Sequence, residues 1–405
     1  MTELNTAAIR QQNKLRILNA VSAGEPFTKN ELTESTGLTI VTVNKIINEF
    51  EQNGFVLEVG QRESVGGRRA KLYRLSDDIT YFIGVNISPE LVTTAICDIN
   101  RNILAQSSVM LYNEKHFDIV WYIIKREVES LRLRLKIPEE KQLGIGITLP
   151  GIIDPEDKRI RVLPRMPGWE GIEIQKLAEE EFHCNVVVDN DINACAIGLL
   201  EKYSGDSSIA LLIFQGGIGG SVLLDGQLLQ GKHGMANEFG HLSVDINGPL
   251  CHCGNNGCLE LYASDYAMVN DMICEMRRGA ESLLWKICEH EERHISIETM
   301  IRAALAGDAL CLERFRKSAT YINFLLRNII RIYELDRIII QCQWLAELPG
   351  MLGLVREGVI SNNIYFKKHR DDEAIVQIEV NTEPDLRLKG ALMLAYNNFM
   401  SSLSL

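Results

Sequence analysis

Short apolar runs alternate with helical stretches from Tyr81 onward, and this alternation limits the fold more than any other feature of the chain. The runs, rich in Ile and Val, read YFIGVNI, LVTTAICDI, LGIGITLPGII, NVVVDNDI and IALLIFQGG, and the stretches between them include HFDIVWYIIKREVESLRLRL and GIEIQKLAEEEF. Strands that alternate with helices form sheets covered by helices. The sequence therefore predicts α/β layers, and its 405 residues suffice for two or three domains.

The residues ahead of this alternation, 14–52, predict three short helices. Thr28 and Glu31 have the spacing of a capping box, which starts a helix, and Gly37 ends that helix because a tight turn needs glycine's backbone freedom. The next helix places four apolar residues at i, i+3, i+4 and i+7, which predicts a buried stripe. These residues are Val43, Ile46, Ile47 and Phe50. Two helices joined by a tight turn indicate a helix-turn-helix.

In a helix-turn-helix the second helix lies in the major groove and offers polar residues near its start to the bases. Here the candidates are Thr39, Thr42, Asn44 and Lys45. Two β-rich pieces follow, joined by a loop in which Arg68 and Arg69 suit contacts to phosphates or to a narrow minor groove. The pattern predicts a winged helix-turn-helix that binds double-stranded DNA. The alternative is a protein-interaction module whose charges form a solvated face.

Charge is distributed unevenly along the chain. The net charge of −12 argues against nonspecific nucleic-acid binding by the whole molecule. Residues 1–75 hold 10 Lys and Arg against 8 Asp and Glu, a balance of +2, so the remainder carries −14. A weakly basic end on an acidic body fits a protein that presents one end to DNA.

The sequence also predicts where the protein works. No apolar run reaches the roughly 18 residues that a membrane span requires, and the polar N-terminus lacks the apolar core of a signal peptide. The ten cysteines are scattered along a long chain, so we expect reduced thiols. These features predict a cytoplasmic protein without membrane insertion.

The segment GHLSVDINGPLCHCGNNGCLE concentrates metal-binding side chains. The predicted ligands are His241, Cys251, Cys253 and Cys258. One imidazole and three thiolates suit a closed tetrahedral zinc site, and four ligands leave no open position, so a structural role for Zn²⁺ is predicted. His252 lies between two ligands in sequence and is expected to point elsewhere. The alternatives are a set of reduced buried cysteines and a redox switch.

Three motifs in the body resemble those of the ROK family, which includes sugar kinases and sugar-responsive repressors. They read NEFGHLSVDINGPLCHCGNNGCLE, VVVDNDINACAIG and LGIGITLPGIID, and the GGRR wing resembles that of the repressor branch. The resemblance implies two actin-like (ribonuclease H-like) α/β lobes behind the winged helix-turn-helix. The implied domains are residues 1–76 for the head, 77–190 with the C-terminal helix 383–405 for the first lobe, and 191–382 for the second lobe with the zinc site.

The resemblance also implies which residues bind a ligand between the lobes. Asn190 and Asp191 match the family's Asn-Asp pair that grips sugar hydroxyls, and in the kinases this Asp is the catalytic base. Glu238 and His241 match a Glu-x-x-His element, Glu260 follows the last cysteine of the motif, and Gly151 ends the stretch that resembles the family's Gly-x-Gly-x-x-Pro-Gly turn. Arg165 stands where the kinases have Asn, which suits an anionic ligand such as a sugar phosphate. The alternative for Arg165 is a surface salt bridge, for Asp191 a helix cap, and for Glu260 a position on the surface.

Three segments depart from the kinase pattern, all where the family's kinases bind nucleotide phosphates. Where the family's kinases have the motif Asp-x-Gly-Gly-Thr, this chain reads GVNISPEL. Asn86 replaces the acid and Pro89 replaces a glycine. The second phosphate loop reads QGGIGG, and a later glycine pair is replaced within residues 341–343. We therefore expect no enzymatic activity, with Asp191 a vestigial base recruited for ligand contact.

Together these features predict a transcriptional regulator, acting as a repressor of carbohydrate genes. A sugar or sugar-phosphate effector would control it, and a homodimer or tetramer would bind a pseudo-palindromic operator. Two alternatives stay open at this point. One is a ROK-type sugar kinase that acquired a head, and the other is a repressor controlled by a sugar-transport protein.

Overall fold

The computed structural model describes residues 25–62, 69–76, 81–112, 115–199, 202–203, 206–361 and 376–402, and before them residues 10, 13, 14, 16–18, 20 and 21. The chain divides into two compact units. The first unit consists of Met1–Gly151, Asp157–Asp191 and Arg387–Leu405, and the second of Ile152–Glu156 and Ile192–Leu386.

The N-terminal head of the first unit contains two fully described helices and a two-stranded antiparallel sheet, and the described residues between positions 10 and 20 are helical as well. The elements are α1 (Lys29–Thr36), α2 (Ile40–Gln52), β1 (Val56–Gln61) and β2 (Lys71–Leu75). Thr28 and Glu31 form the predicted capping box, and Gly37 ends α1 in the left-handed region at φ 69°. The predicted stripe of α2 is confirmed, since Val43, Ile46, Ile47 and Phe50 are all buried. Most of the wing loop, including Arg68, lies outside the described residues.

The first unit contains a mixed five-stranded sheet in the order β5-β4-β3-β6-β9. Its strands are β3 (Tyr81–Ile87), β4 (Leu91–Asp98), β5 (Ile103–Met110), β6 (Gln142–Leu149) and β9 (Val186–Asn190), and its helices include α3 (Phe117–Leu135) and α4 (Ile174–Phe182). Two short strands follow β6 in the chain, β7 (Ile152–Ile153), which belongs to the second unit, and β8 (Ile160–Val162), which belongs to the first. Strand β3 pairs antiparallel with β4 and parallel with β6. The consecutive parallel ladder β3, β6 and β9 places the carboxyl end of β9, at Asn190, on the same edge as that of β6.

The C-terminal helix α13 (Leu386–Ser402) packs directly on this first sheet. A Cβ on Gly146 of β6 would lie 1.9 Å from the carbonyl oxygen of Ala391, and one on Gly84 of β3 would lie 2.8 Å from Cγ of Leu392. The two glycines therefore let the backbones of helix and sheet approach closely. The same buried apolar cluster includes residues of the head, so head, sheet and helix share one core.

The second unit contains a five-stranded sheet in the order β12-β11-β10-β13-β14 with helices packed around it. The strands are β10 (Ser208–Gln215), β11 (Gly217–Leu224), β12 (Gln227–Leu228), β13 (Arg337–Cys342) and β14 (Gln377–Val380). The helices are α5 (Asp191–Leu199), α6 (Glu260–Ala263), α7 (Asp265–Arg277), α8 (Leu283–Ile287), α9 (Ile297–Leu305), α10 (Ala309–Tyr333), α11 (Gln343–Glu347) and α12 (Met351–Ser361), the first of which starts at the last residue of the first unit. Strand β10 pairs antiparallel with β11 and parallel with β13.

Among the described residues, no helix has both the length and the apolar character that crossing a bilayer requires.

Candidate functional site

The four predicted metal ligands lie together in the second unit. The ligand atoms of His241, Cys251, Cys253 and Cys258 are all within 4.8 Å of one another. Sγ of Cys251 is 3.7 Å from Nδ1 of His241, and the Sγ atoms of Cys253 and Cys258 are 3.5 Å apart. A tetrahedral zinc ion with its usual bond lengths separates its ligand atoms by about 3.5–3.8 Å. The donor set and its spacing fit a bound divalent metal ion.

Glycines and backbone hydrogen bonds fold the metal segment around these ligands. Gly254 and Gly257 adopt positive φ angles of 95° and 63°. A Cβ on Gly257 would lie 1.8 Å from the carbonyl oxygen of Asp245, so only glycine fits there. The N–H of Cys251 donates to the carbonyl of Asn255 at 2.8 Å, which closes the turn that carries the first two cysteines. The segment is therefore built so that its ligands converge.

The protonation chemistry of the cluster also favours a cation. Burial lowers the pKa of His241, which keeps its imidazole neutral and able to ligate. Burial raises the pKa of Cys253, but hydrogen bonds from the Asn255 backbone and the Cys258 thiol outweigh it, so the net shift is downward. Burial and the neighbouring sulfurs raise the pKa of Cys258 to about 12. A divalent ion would offset the burial and the mutual repulsion of the thiolates, because it stabilises every thiolate at once.

His252 lies against the cluster, so the expectation that it points elsewhere is wrong. Its Nδ1 is 3.7 Å from Sγ of Cys251 and 3.9 Å from Oε1 of Glu260. His241, His252 and Glu260 form a second group whose ligand atoms lie within 4.8 Å. The ring turns back because the tight Cys-His-Cys turn leaves little separation between neighbouring side chains.

Glu260, at the start of α6, is buried and fixed by the backbone of β11. Its Oε2 accepts a hydrogen bond from the N–H of Ile218 at 3.0 Å. A Cβ on Gly217 would lie 2.7 Å from this oxygen, so the glycine makes room for the carboxylate. Glu238 is exposed beside the short 3₁₀ turn Phe239–His241. Glu238, His241 and Glu260 thus belong to one region of the second unit.

Asn190, Asp191 and Gly151 belong to the first unit. Nδ2 of Asn190 donates to the carbonyl of Gly151 at 2.9 Å. Gly151 has a φ of 112°, and a Cβ there would lie 2.2 Å from the carbonyl oxygen of Val162. Asp191 is buried, and its Oδ2 accepts a hydrogen bond from Nε of Arg387 at 2.7 Å. The sequence analysis missed Arg387, which lies 196 residues away and matches none of the three motifs.

Arg165 forms an exposed salt bridge within the first unit. Its Nη1 is 2.7 Å from Oε1 of Glu90, and both side chains are at least half exposed. This pairing is the alternative considered for Arg165, and the role of Arg165 in binding an anionic ligand stays a prediction.

Two carboxylates bind the glycine-rich segment that resembles a phosphate loop. Gly216 turns between β10 and β11, and its N–H donates to Oδ2 of Asp265 at 3.1 Å, while Glu260 accepts the N–H of Ile218. Burial raises the pKa of Asp265 to about 6. Fixed carboxylates on these N–H groups would repel a phosphate. The nearby Gly219 and Gly220 are also covered, since a Cβ on each would lie 2.0 Å from Ile192 and 2.4 Å from Phe239.

The predicted DNA-reading helix exposes the polar side chains beyond its first turn. Asn44 and Lys45 are exposed on α2, and Arg69 is exposed beside the wing. Thr39 is the N-cap, and its Oγ1 accepts the N–H of Thr42 at 3.3 Å and lies 2.9 Å from the Thr42 hydroxyl. The two hydroxyls therefore pair with each other. Val41, two residues after the N-cap, is 74% exposed and was not predicted to contact DNA.

Comparisons with known proteins agree with these features. Residues 82–395 match the ROK family. A xylose repressor from Bacillus spizizenii is 27% identical over 368 residues, which cover 88% of this chain and 88% of that protein. The DNA-binding transcriptional dual regulator NagC from Escherichia coli is 25% identical over 346 residues, covering 83% of this chain and 81% of that protein.

A solved structure has the same fold over nearly the whole chain. A crystal structure described as a ROK family transcriptional regulator, homolog of the E. coli MLC protein, superposes with a TM-score of 0.79 at 22% identity. The superposition covers 98% of this chain and 97% of that one. The predicted α/β fold class is confirmed.

Proposed function

Because the chain belongs to the ROK family, we propose that it is a sequence-specific DNA-binding transcriptional regulator. It acts as a repressor of carbohydrate genes, and a sugar or sugar phosphate controls it. The observation that carries the proposal is a head with exposed polar residues on α2, attached to a body whose glycine-rich turn is occupied by two carboxylates. The similarity to a xylose repressor over 88% of both chains supports it.

The head binds the operator through α2 and the wing. Asn44 and Lys45 contact bases or phosphates in the major groove, Thr39 and Thr42 fix the start of the helix, and Arg68 and Arg69 contact the backbone or the minor groove. A homodimer, or a tetramer built from dimers, places two heads on two half-sites of a pseudo-palindrome. A protein that binds its operator in a bacterial cell works in the cytoplasm.

The effector is a sugar whose hydroxyls pair with carboxylates and an amide, of which Asp191 and Glu260 are buried. Asn190 and Asp191 bind it in the first unit together with Gly151, and Glu238, His241 and Glu260 do so in the second. Arg165 adds affinity for a phosphate if the effector carries one. The names of the relatives indicate D-xylose and N-acetylglucosamine as the first sugars to test.

Zn²⁺ occupies the cluster of one histidine and three cysteines in a structural role. His241, Cys251, Cys253 and Cys258 would hold it, and the ion supplies charge compensation for the three thiolates. Its position next to Glu260 in sequence and in space lets the metal fix that carboxylate. The cluster has no catalytic task in this proposal.

The protein is not an enzyme in this proposal. Phosphoryl transfer needs backbone donors and cations around the transferred phosphate. Here Asp265 and Glu260 already bind two of the donors, and Asp191 is paired with a guanidinium. ATP-dependent phosphorylation of any sugar in the panel below, lost in Asp191→Ala, would establish the kinase alternative instead.

The test combines operator selection with a sugar panel. Purified protein is incubated with genomic fragments at low salt, and bound fragments are sequenced; we expect a palindromic site near carbohydrate genes. Asn44→Ala and Lys45→Ala should weaken binding, while Lys317→Ala, an exposed lysine of the second unit, should not. Thermal shift with D-xylose, N-acetylglucosamine, D-glucose and the 6-phosphates of the two hexoses identifies the effector, because a ligand that binds only the native state raises the melting temperature. Absence of any selected fragment would contradict the proposal.

A further inference from the structure

The ion pair between Arg387 and Asp191 joins a predicted effector residue to the C-terminal helix. Nε of Arg387 is 2.7 Å from Oδ2 of Asp191, and the side chains are 25% and 7% exposed. A charge-assisted hydrogen bond at this degree of burial is strong. A sugar hydroxyl that takes the position of this N–H on Oδ2 displaces the guanidinium.

The position of Arg387 within α13 is electrostatically unfavourable for the helix. It lies in the first turn of α13, where the helix dipole presents its positive end. A cation there is unfavourable unless an anion compensates it. Asp191 supplies that anion, so the pair holds the start of α13 against the carboxyl end of β9.

The body of α13 is clamped on the first sheet. Backbone approaches at Gly146 and Gly84 leave no space between the helix and strands β6 and β3. The ring of Tyr396 packs edge-on against Phe82 at 5.4 Å, and the guanidinium of Arg101 lies 5.4 Å from the same ring. A helix held this closely moves as a unit, because packed interiors do not deform continuously.

The far end of α13 contacts the head. The ring of Phe399 lies 5.3 Å from Phe55, which joins α2 to β1, and 5.6 Å from Phe82. Arg387 and Phe399 are twelve residues apart, a span of about 18 Å along a helix. One rigid element therefore touches a predicted sugar-binding carboxylate at its start and the DNA-binding head at its end.

We propose that Arg387 is the positioning residue through which the effector changes operator affinity. The effector displaces Arg387 from Oδ2 of Asp191, which releases the start of α13, and the helix transmits the change to the head at Phe399. The inference rests on the proposed function. Coupling follows because the effector binds more tightly to the state in which this ion pair is broken.

The first arm of the test measures coupling. Operator affinity of the full chain is measured by fluorescence anisotropy with and without saturating D-xylose, the first sugar of the panel, and sugar affinity by calorimetry. We expect saturating D-xylose to change the operator affinity of the wild-type protein by about fivefold or more. Arg387→Met keeps the apolar stem and removes the charge. In this variant the effect of the sugar on operator affinity should fall below about twofold, while the variant still binds operator and sugar. Arg387→Lys should give an intermediate value.

Arg337→Met is the matched control. Arg337 and Asp206 form a partly buried ion pair in the second unit, with Nε 2.5 Å from Oδ2. Its loss removes a comparable pair without touching Asp191 or α13, so the wild-type coupling should remain. Wild-type coupling in Arg387→Met would overturn the proposal.

The second arm needs neither DNA nor sugar. Hydrogen exchange is measured on the full chain of each variant. Arg387→Met should raise exchange both at the start of α13 and at the α2–β1 junction around Phe55, and Arg337→Met should leave that junction unchanged. A change confined to the first turn of α13 would overturn the role in transmission. If the wild type binds no operator, the proposed function fails, and this arm still decides whether Arg387 is connected to the head.

Discussion

Asp265 gives the sharpest test of the second unit, because its carboxylate is buried without full compensation. Oδ2 accepts the N–H of Gly216, whereas Oδ1 is buried without a hydrogen-bond partner among the described residues. Burial raises its pKa from 3.8 to about 6, with Glu298 adding repulsion. Asp265→Asn keeps an oxygen for the Gly216 N–H and removes the charge. The variant should therefore be more stable than the wild type at neutral pH.

The magnitude follows from proton linkage. The folded state holds the proton more tightly than the unfolded chain, so ionisation of Asp265 destabilises the fold, and the penalty develops as pH rises from about 4 to about 6. A pKa difference of about two pH units, at about 1.4 kcal/mol each, gives a penalty of about 3 kcal/mol above pH 6. The advantage of Asp265→Asn should be absent near pH 4 and complete near pH 7.

Thermal unfolding of both proteins at a series of pH values measures this difference. For a unit of this size, about 2–4 °C per kcal/mol predicts a rise of about 6–12 °C at neutral pH. Asp336→Asn is the control, because this substitution should change the stability at neutral pH in the opposite direction. The pKa of Asp336 is lowered because its carboxylate accepts the backbone N–H of Ser208. The ionised carboxylate therefore stabilises the folded state above its unfolded pKa, and this stabilisation is lost as pH falls. A difference between Asp265→Asn and the wild type that does not vary with pH would refute the burial argument.

Other predictions follow from single contacts. Cys258→Ser should lower the metal content measured by atomic emission and lower the melting temperature, whereas Cys274→Ser, an exposed cysteine outside the cluster, should change neither; full metal content in Cys258→Ser would contradict the ligand assignment. Gly146→Ala should destabilise by about 1–3 kcal/mol in chemical denaturation, because its Cβ meets the Ala391 carbonyl. Gly353→Ala, on the exposed face of α12 with nothing within 4 Å, should instead stabilise by up to about 1 kcal/mol, and equal effects at both glycines would count against close packing of α13. Arg165→Met should weaken binding of glucose 6-phosphate but not of D-glucose in calorimetry; loss of both, or of neither, would remove Arg165 from the anion site.

Features that depend on local spacing could be predicted from the sequence. The capping box of Thr28 and Glu31, the turn at Gly37 and the buried stripe of α2 follow from residues a few positions apart, and hydrogen bonds and helix periodicity act over that range. The members of the candidate metal cluster could be predicted for the same reason, since His241 and the three cysteines lie within one segment. His252 was misjudged because its direction depends on how tightly the segment folds, which spacing does not specify.

Contacts between distant segments were decided only by the tertiary structure. Arg387 meets Asp191 across 196 residues, and Asp265 meets Gly216 across 49, because the order of strands and the seating of helices bring these positions together. Arg165 was assigned to a ligand from its residue type, yet its partner, Glu90, is set by the folding of two separate loops. The chain's local chemistry thus determined the elements, the candidate metal ligands and the family. The partners of its buried and exposed charges were determined by packing, because a charged side chain pairs with whichever opposite charge the fold places beside it.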